Sequence, residues 1–217
     1  MRMKLLKVAS LIFLFFIIFL FVFGRAFPSY IDIRTVQNSN SHILVFDGDL
    51  FYRQTLNNCG PYSVMAVINV LKKERISPEL LAREMTWRIH KNLTFPIGLM
   101  KLLRKYGIKT KEYILNNKST DEKINWIKGK LEQGFPIIIL IKINHIQHYL
   151  TILEYDEHGF MLYDSLQEKN SEDTRKTIID KQCRVGNRYY PYEKLITLWD
   201  NGGYKIFFKN WAIVCYL

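Results

Sequence analysis

The chain has 217 residues, 48% of them hydrophobic and 14% aromatic, and a formal net charge of +11. That length is enough for one sizeable core and short of two. The charge does not point to nucleic acid: Arg2, Lys4, Lys7 and Arg25 sit in a leading segment without acids, the remaining excess is spread along the chain, and neither a basic stripe with interleaved aromatics nor a nucleic-acid-binding module occurs.

The leading stretch MRMKLLKVASLIFLFFIIFLFVFGRAFPS opens on basic residues and continues in an uncharged apolar run of 17 residues, Val8 to Gly24. A run of that length lies between a signal-peptide core and a full membrane span, and the small residues Gly24 and Ala26 suit a signal peptidase. Residues 1–26 therefore read as either a cleaved signal peptide or an uncleaved anchor that meets the membrane through Val8 to Gly24. The positive charges lie mostly before the run, which places the N-terminus in the cytoplasm and everything after Phe27 outside. The expected location is a membrane-anchored extracytoplasmic domain, or a secreted or periplasmic one.

Residues 27–41 are polar and aperiodic, a linker, and 42–217 form the domain. HILVFDGD, from His42, reads as a first strand and turn. In YRQTLNNCGPYSVMAVINVLKK, Pro61 opens a helix to about Lys72 with Val64, Val67, Ile68 and Leu71 toward the core. ISPELLAREM carries Ser77 before Pro78 and Glu79, a helix start. PIGLMKLLRKYG and TDEKINWIKGKLEQG are two more amphipathic helices, stopped at Gly107 and Gly134. The period then changes: FPIIILIKIN, HYLTILEYD and FMLYDS predict three strands with short connections. Gln167 to Gly186 is a long polar loop, and YKIFFKNWAIVCYL a last strand. Helices first and strands later argue an α+β fold with an antiparallel sheet.

Three cysteines occur, Cys59, Cys183 and Cys215. An odd number leaves a free thiol, and Cys183 with Cys215 is an open disulfide pairing in an oxidising compartment. Cys59 would lie at a helix N-terminus, where unpaired N–H groups and the macrodipole favour a thiolate. A lone cysteine is more often a small buried hydrophobe, so position alone does not decide its role. A thiolate nucleophile needs a base and a group that orients the base. Of His42, His90, His145, His148 and His158, His148 stands at the mouth of a strand, and hairpin pairing through DEHG brings Asp164 alongside it. Gln54 can offer a side-chain amide to an oxyanion, with the Cys59 N–H as a second donor.

QTLNNCGPYSVMAVINVL resembles the nucleophile motif of the bacteriocin-leader-processing cysteine peptidases and their stand-alone relatives, and HYLTILEYDEHGFMLYDS resembles that family's His strand, turn and Asp strand. The resemblance spans about Gln54 to Ser165. It implies a papain-like fold, a central nucleophile helix packed on a C-terminal antiparallel sheet, and no cofactor. It also implies Cys59 as nucleophile, His148 as general base and acid, Asp164 as orienting residue and Gln54 as oxyanion donor. The partner would be a peptide or protein substrate. Where the family often has Asp-Pro, this chain has Asp164-Ser165. Two alternatives stand beside the peptidase: a peptidase-like binding module that no longer turns over, and a metal site of Cys59, His145, His148 and Asp164, whose spacing matches no usual ligand motif. Leader processing fits poorly with a domain placed outside.

Overall fold

The computed structural model describes residues 10–16, 19, 44–203 and 207–217. Most of the leading segment, the linker and His42 lie outside these. Residues 10–16 are helical, and Leu11, Phe13 and Phe15 are exposed. Among the described residues no helix is long and apolar enough to cross a membrane.

Among the described residues the domain is built on five α-helices and six strands. Helix α1 (Cys59–Lys72) is followed by α2 (Pro78–Glu84), α3 (Pro96–Lys105) and β1 (Lys109–Ile114). Then come α4 (Thr120–Leu131), β2 (Ile137–Ile143), β3 (Ile146–Tyr155), β4 (Gly159–Tyr163), β5 (Arg188–Pro191), α5 (Tyr192–Asp200) and β6 (Trp211–Tyr216). The strands form one antiparallel sheet in the order β1-β6-β2-β3-β4-β5. The expected α+β architecture is present, and β6 lies inside the sheet, between β1 and β2.

Successive side chains of β2 from Ile137 to Ile141 are all buried, as are all five residues of β4. Since neighbours on a strand point to opposite faces, both faces of the sheet are covered there. Helix α1 packs against β3, α2 and α3, while α4 and α5 pack against β2 and β3 and against β2, β4 and β5 respectively. Helix α1 was expected to be amphipathic; instead Val64, Met65, Ala66, Val67 and Ile68 are all fully buried, and Leu71 is only partly so. A helix apolar on every side is a core helix.

Two further expectations change. Helix α1 begins at Cys59, not at Pro61. Pro61 falls in the first turn, where its missing N–H would have found no partner in any case. The segment at Leu44–Phe46 is not a strand. Leu44 and Phe46 are buried and Val45 is exposed, but the alternation is satisfied by side-chain packing without a neighbouring strand. Phe46 lies 5.2 Å from Tyr163 and 5.1 Å from Phe51, ring centre to ring centre. The Tyr163 hydroxyl also donates to Tyr52 O at 2.6 Å, so the segment leading to Gln54 is fixed to the end of β4.

The hairpin between β2 and β3 turns on Asn144 and His145, both at positive φ, a two-residue connection that matches the strand twist. His145 is thereby held at the exposed hairpin tip, and His158 is exposed in the turn before β4. The Cys183–Cys215 disulfide does not form: all three cysteines are free. Cys215 lies on β6, whereas Cys183 precedes Arg184, whose N–H reaches Met161 Sδ of β4 at 3.4 Å. Strands β2 and β3 stand between β6 and β4, a separation no disulfide spans.

Gly186 is the position where backbone freedom is required most plainly. Its φ is +80°, and a Cβ there would sit 2.3 Å from Leu162 O. Gly186→Ala is expected to lower stability by about 2 kcal/mol or more, from the left-handed conformation and the clash together. A shift in the urea midpoint measures it, and an unchanged midpoint contradicts the assignment.

Candidate active site

The N-terminus of α1, the start of β3 and the turn after β4 converge on a narrow cleft of about 20 Å³. Cys59, His148 and Gln54 line it, with Thr94 and Leu140 in its wall and Leu93 and Ile146 partly exposed there. Asp164 stands behind the histidine. All four residues singled out from the sequence therefore meet at one place.

Cys59 is the first residue of α1, so its own N–H is among the first-turn donors without an intrahelical acceptor. Asn58 occupies the capping position but its side chain does not cap the helix. Its Oδ1 accepts from Arg88 Nη2 at 2.5 Å, and its Nδ2 donates to Thr55 Oγ1 at 2.6 Å. Arg88 also donates to Ala82 O and Asn92 O, each at 3.0 Å. The guanidinium thus ties down the loop before the cysteine and leaves the helix end open.

His148 is fully buried, and its Nε2 is 2.8 Å from Asp164 Oδ1. Nδ1, the ring nitrogen that Asp164 does not take, is left for Cys59, with whose thiol the imidazole interacts. Burial alone raises the Cys59 pKa, but His148, by hydrogen bonding and by charge, and the N–H groups of Tyr149 and Gly60 outweigh it, so the thiol lies below its ordinary 9.0. Burial disfavours imidazolium too, yet the Asp164 carboxylate and the Cys59 thiolate raise His148 to about 10. Asp164 is held below the carboxylate range against burial, first by the charge of His148 and then by hydrogen bonds. The balance favours thiolate, imidazolium and carboxylate in a row. By contrast, burial and Asp180 push Cys183 up to about 12, and burial alone raises Cys215.

Asp164 is positioned through its backbone. Asn187, fully buried, accepts from the Asp164 N–H at 2.8 Å through Oδ1 and donates to Asp164 O at 2.9 Å through Nδ2. Its Nδ2 also donates to Thr177 Oγ1 at 2.6 Å. The Leu166 N–H adds a second bond to Asp164 Oδ1 at 2.8 Å. Neither Asn187 nor Arg88 was legible as a site residue: each acts from a distance in sequence, with no motif around it. Among the described residues no group of three metal-ligating side chains exists, and His145, at its hairpin tip, takes no part in the cleft.

No family model matches the sequence, and no curated protein matches it. Solved structures do resemble the fold. A double glycine motif protease from an AMS/PCAT transporter, in complex with the leader peptide, matches 86% of this chain and all of its own, with 14% identity and a TM-score of 0.51. The peptidase domain of Streptococcus ComA, a bi-functional ABC transporter involved in a quorum-sensing pathway, matches 76% of this chain and 97% of its own, with 16% identity and a TM-score of 0.50. The fold is thus that of the double-glycine peptidase domains, as the resemblance in the sequence implied.

Alkylation of Cys59 by iodoacetamide, followed by mass spectrometry across pH, is expected to show a midpoint below 9.0, because the thiolate persists while His148 carries its proton. In His148→Ala only burial and the two N–H groups remain, and the midpoint is expected to move upward. A midpoint that ignores the histidine contradicts the coupling.

Proposed function

We propose that the protein is a cysteine peptidase, acting on a peptide or protein through Cys59, His148, Asp164 and Gln54. The observation that carries this reading is the buried His148–Asp164 pair at 2.8 Å, with the second imidazole nitrogen left for a cysteine at a helix N-terminus. The fold of the double-glycine peptidase domains supports it.

In the proposed reaction the Cys59 thiolate attacks the scissile carbonyl carbon, and the carbonyl π electrons move to oxygen. The Gln54 amide and the Cys59 N–H receive that oxyanion. Collapse breaks the C–N bond as the His148 imidazolium gives its proton to the departing amine, leaving a thioester on Sγ. Water, deprotonated by His148, attacks the thioester, and Cys59 leaves as thiolate while His148 retains the proton. Asp164 stays ionised and keeps Nε2 occupied, so that Nδ1 serves both proton transfers. The narrow cleft favours small residues at the bond, in line with the double-glycine motif named for the structural neighbour.

The domain's proposed place is the extracytoplasmic side, reached through the apolar run Val8 to Gly24 as signal or anchor. The support is the basic start of that run. Alkaline phosphatase fused after the domain should be active, since the reporter matures only outside; an inactive fusion overturns the placement.

A thiol-directed acyl probe tests the chemistry. Labelling is expected at Cys59 and is lost in Cys59→Ala. Absence of labelling in the intact protein overturns the peptidase reading. With a cleavable glycine-rich peptide, Gln54→Ala is expected to lower kcat by about 10²- to 10³-fold, the usual loss for one oxyanion donor.

A further inference from the structure

The turn that carries Asp164 also carries Ser165, the residue at which this chain departs from Asp-Pro. Ser165 is 2% exposed, and it holds Gln54 twice. Its carbonyl oxygen accepts from the Gln54 N–H at 2.9 Å, and its hydroxyl donates to Gln54 Oε1 at 2.7 Å. An amide held by its oxygen leaves its NH₂ group free of that contact, and Gln54 lines the cleft it shares with Cys59. The opposite orientation would set Oε1 toward a thiolate, two electron-rich groups facing each other. A serine hydroxyl can pair with either end of an amide, so the thiolate disfavours the flip and the hydroxyl, donating to Oε1, holds the orientation in which Gln54 is a donor. A proline at this position supplies no such contact.

We infer that Ser165 is a positioning residue of the oxyanion site, orienting the Gln54 amide while its neighbour Asp164 orients the base. The inference rests on the peptidase reading above. One two-residue turn would thus set both the proton transfer and the charge stabilisation, and Asn187, by gripping Asp164, would steady both. A residue that acts only through Gln54 has no effect once Gln54 is gone, and it leaves the thiolate untouched.

The test uses two probes on the full-length protein. Iodoacetamide alkylates the thiolate by displacement and needs no oxyanion. Acetyl-Gly-Gly-aldehyde forms a C–S bond from Cys59 Sγ to its carbonyl carbon, and its oxygen gains a proton from His148 and occupies the oxyanion position. Ser165→Ala is expected to weaken aldehyde binding about tenfold, the worth of one lost hydrogen bond. Gln54→Ala should weaken it at least as much, and the double variant should be no weaker than Gln54→Ala alone. Ser165→Thr, which keeps the hydroxyl, should restore binding. Alkylation of Cys59 should proceed at the wild-type rate in all of them. Ser165→Gly removes the same hydroxyl and replaces the alanine variant if circular dichroism shows the latter unfolded. Wild-type aldehyde affinity in the variant lacking the hydroxyl, or losses that multiply in the double variant, overturn the role of Ser165 alone. Failure of the aldehyde to bind the wild type overturns the peptidase reading, and this inference with it.

Discussion

A carboxylate as buried as Asp164 is tolerable only where its charge is matched, and here His148 Nε2 and the Leu166 N–H both meet one oxygen at 2.8 Å. The arrangement of the domain follows from keeping that pair in place. Strands β3 and β4 bring the two residues side by side, and Asn187 fixes the backbone of the carboxylate from β5's side of the sheet. The rings of Phe46, Phe51 and Tyr163 secure the segment that delivers Gln54. A buried ion pair contributes little to stability compared with well-packed apolar side chains, and breaking it from one side costs about 3–5 kcal/mol. So expensive a group, set against a thiol whose pKa it depresses through the imidazole, makes physical sense as chemistry more readily than as a folding device.

The parts of the site legible in the sequence were those whose determinants are local. Cys59 could be placed because Gly60, Pro61 and the following apolar run mark a helix start. His148 and Asp164 could be paired because a three-residue turn joins two β-branched or aromatic runs. Asn187 and Arg88 were not legible, since each works through hydrogen bonds to residues 23 or 30 positions away. Strand β1 was also hidden: KTKEYI has charges on both faces and buries only Tyr113, as an edge strand covered on little of its surface can. At Leu44–Phe46 the reverse happened, because side chains alternated as in a strand while the backbone had no strand to pair with.

The helix that carries Cys59 has no solvent-facing stripe, and this explains why its extent was misjudged by two residues and its amphipathicity overstated. Rigid burial also bears on the site. A thiol at the end of a helix locked between β3, α2 and α3 has little freedom to wander, so the cleft beside it is held in one shape. Arg88 completes this by engaging the side chain of Asn58, which would otherwise compete for the helix-end donors.

Strand β6 enters the sheet between β1 and β2, although residues 211–216 are the last of the described strands to be synthesised. Until they emerge, β2 has an unpaired edge, and β3 and β4 hang from a sheet whose centre is missing. Helix α5 likewise anchors its Trp199 indole on Trp211 O at 2.9 Å. A chain made only as far as α5 thus lacks the platform on which His148 and Asp164 meet. Assembly of the cleft therefore waits on residues 211–216, synthesised well after His148 and Asp164, so a stretch of chain remote from the cleft sets when it can form.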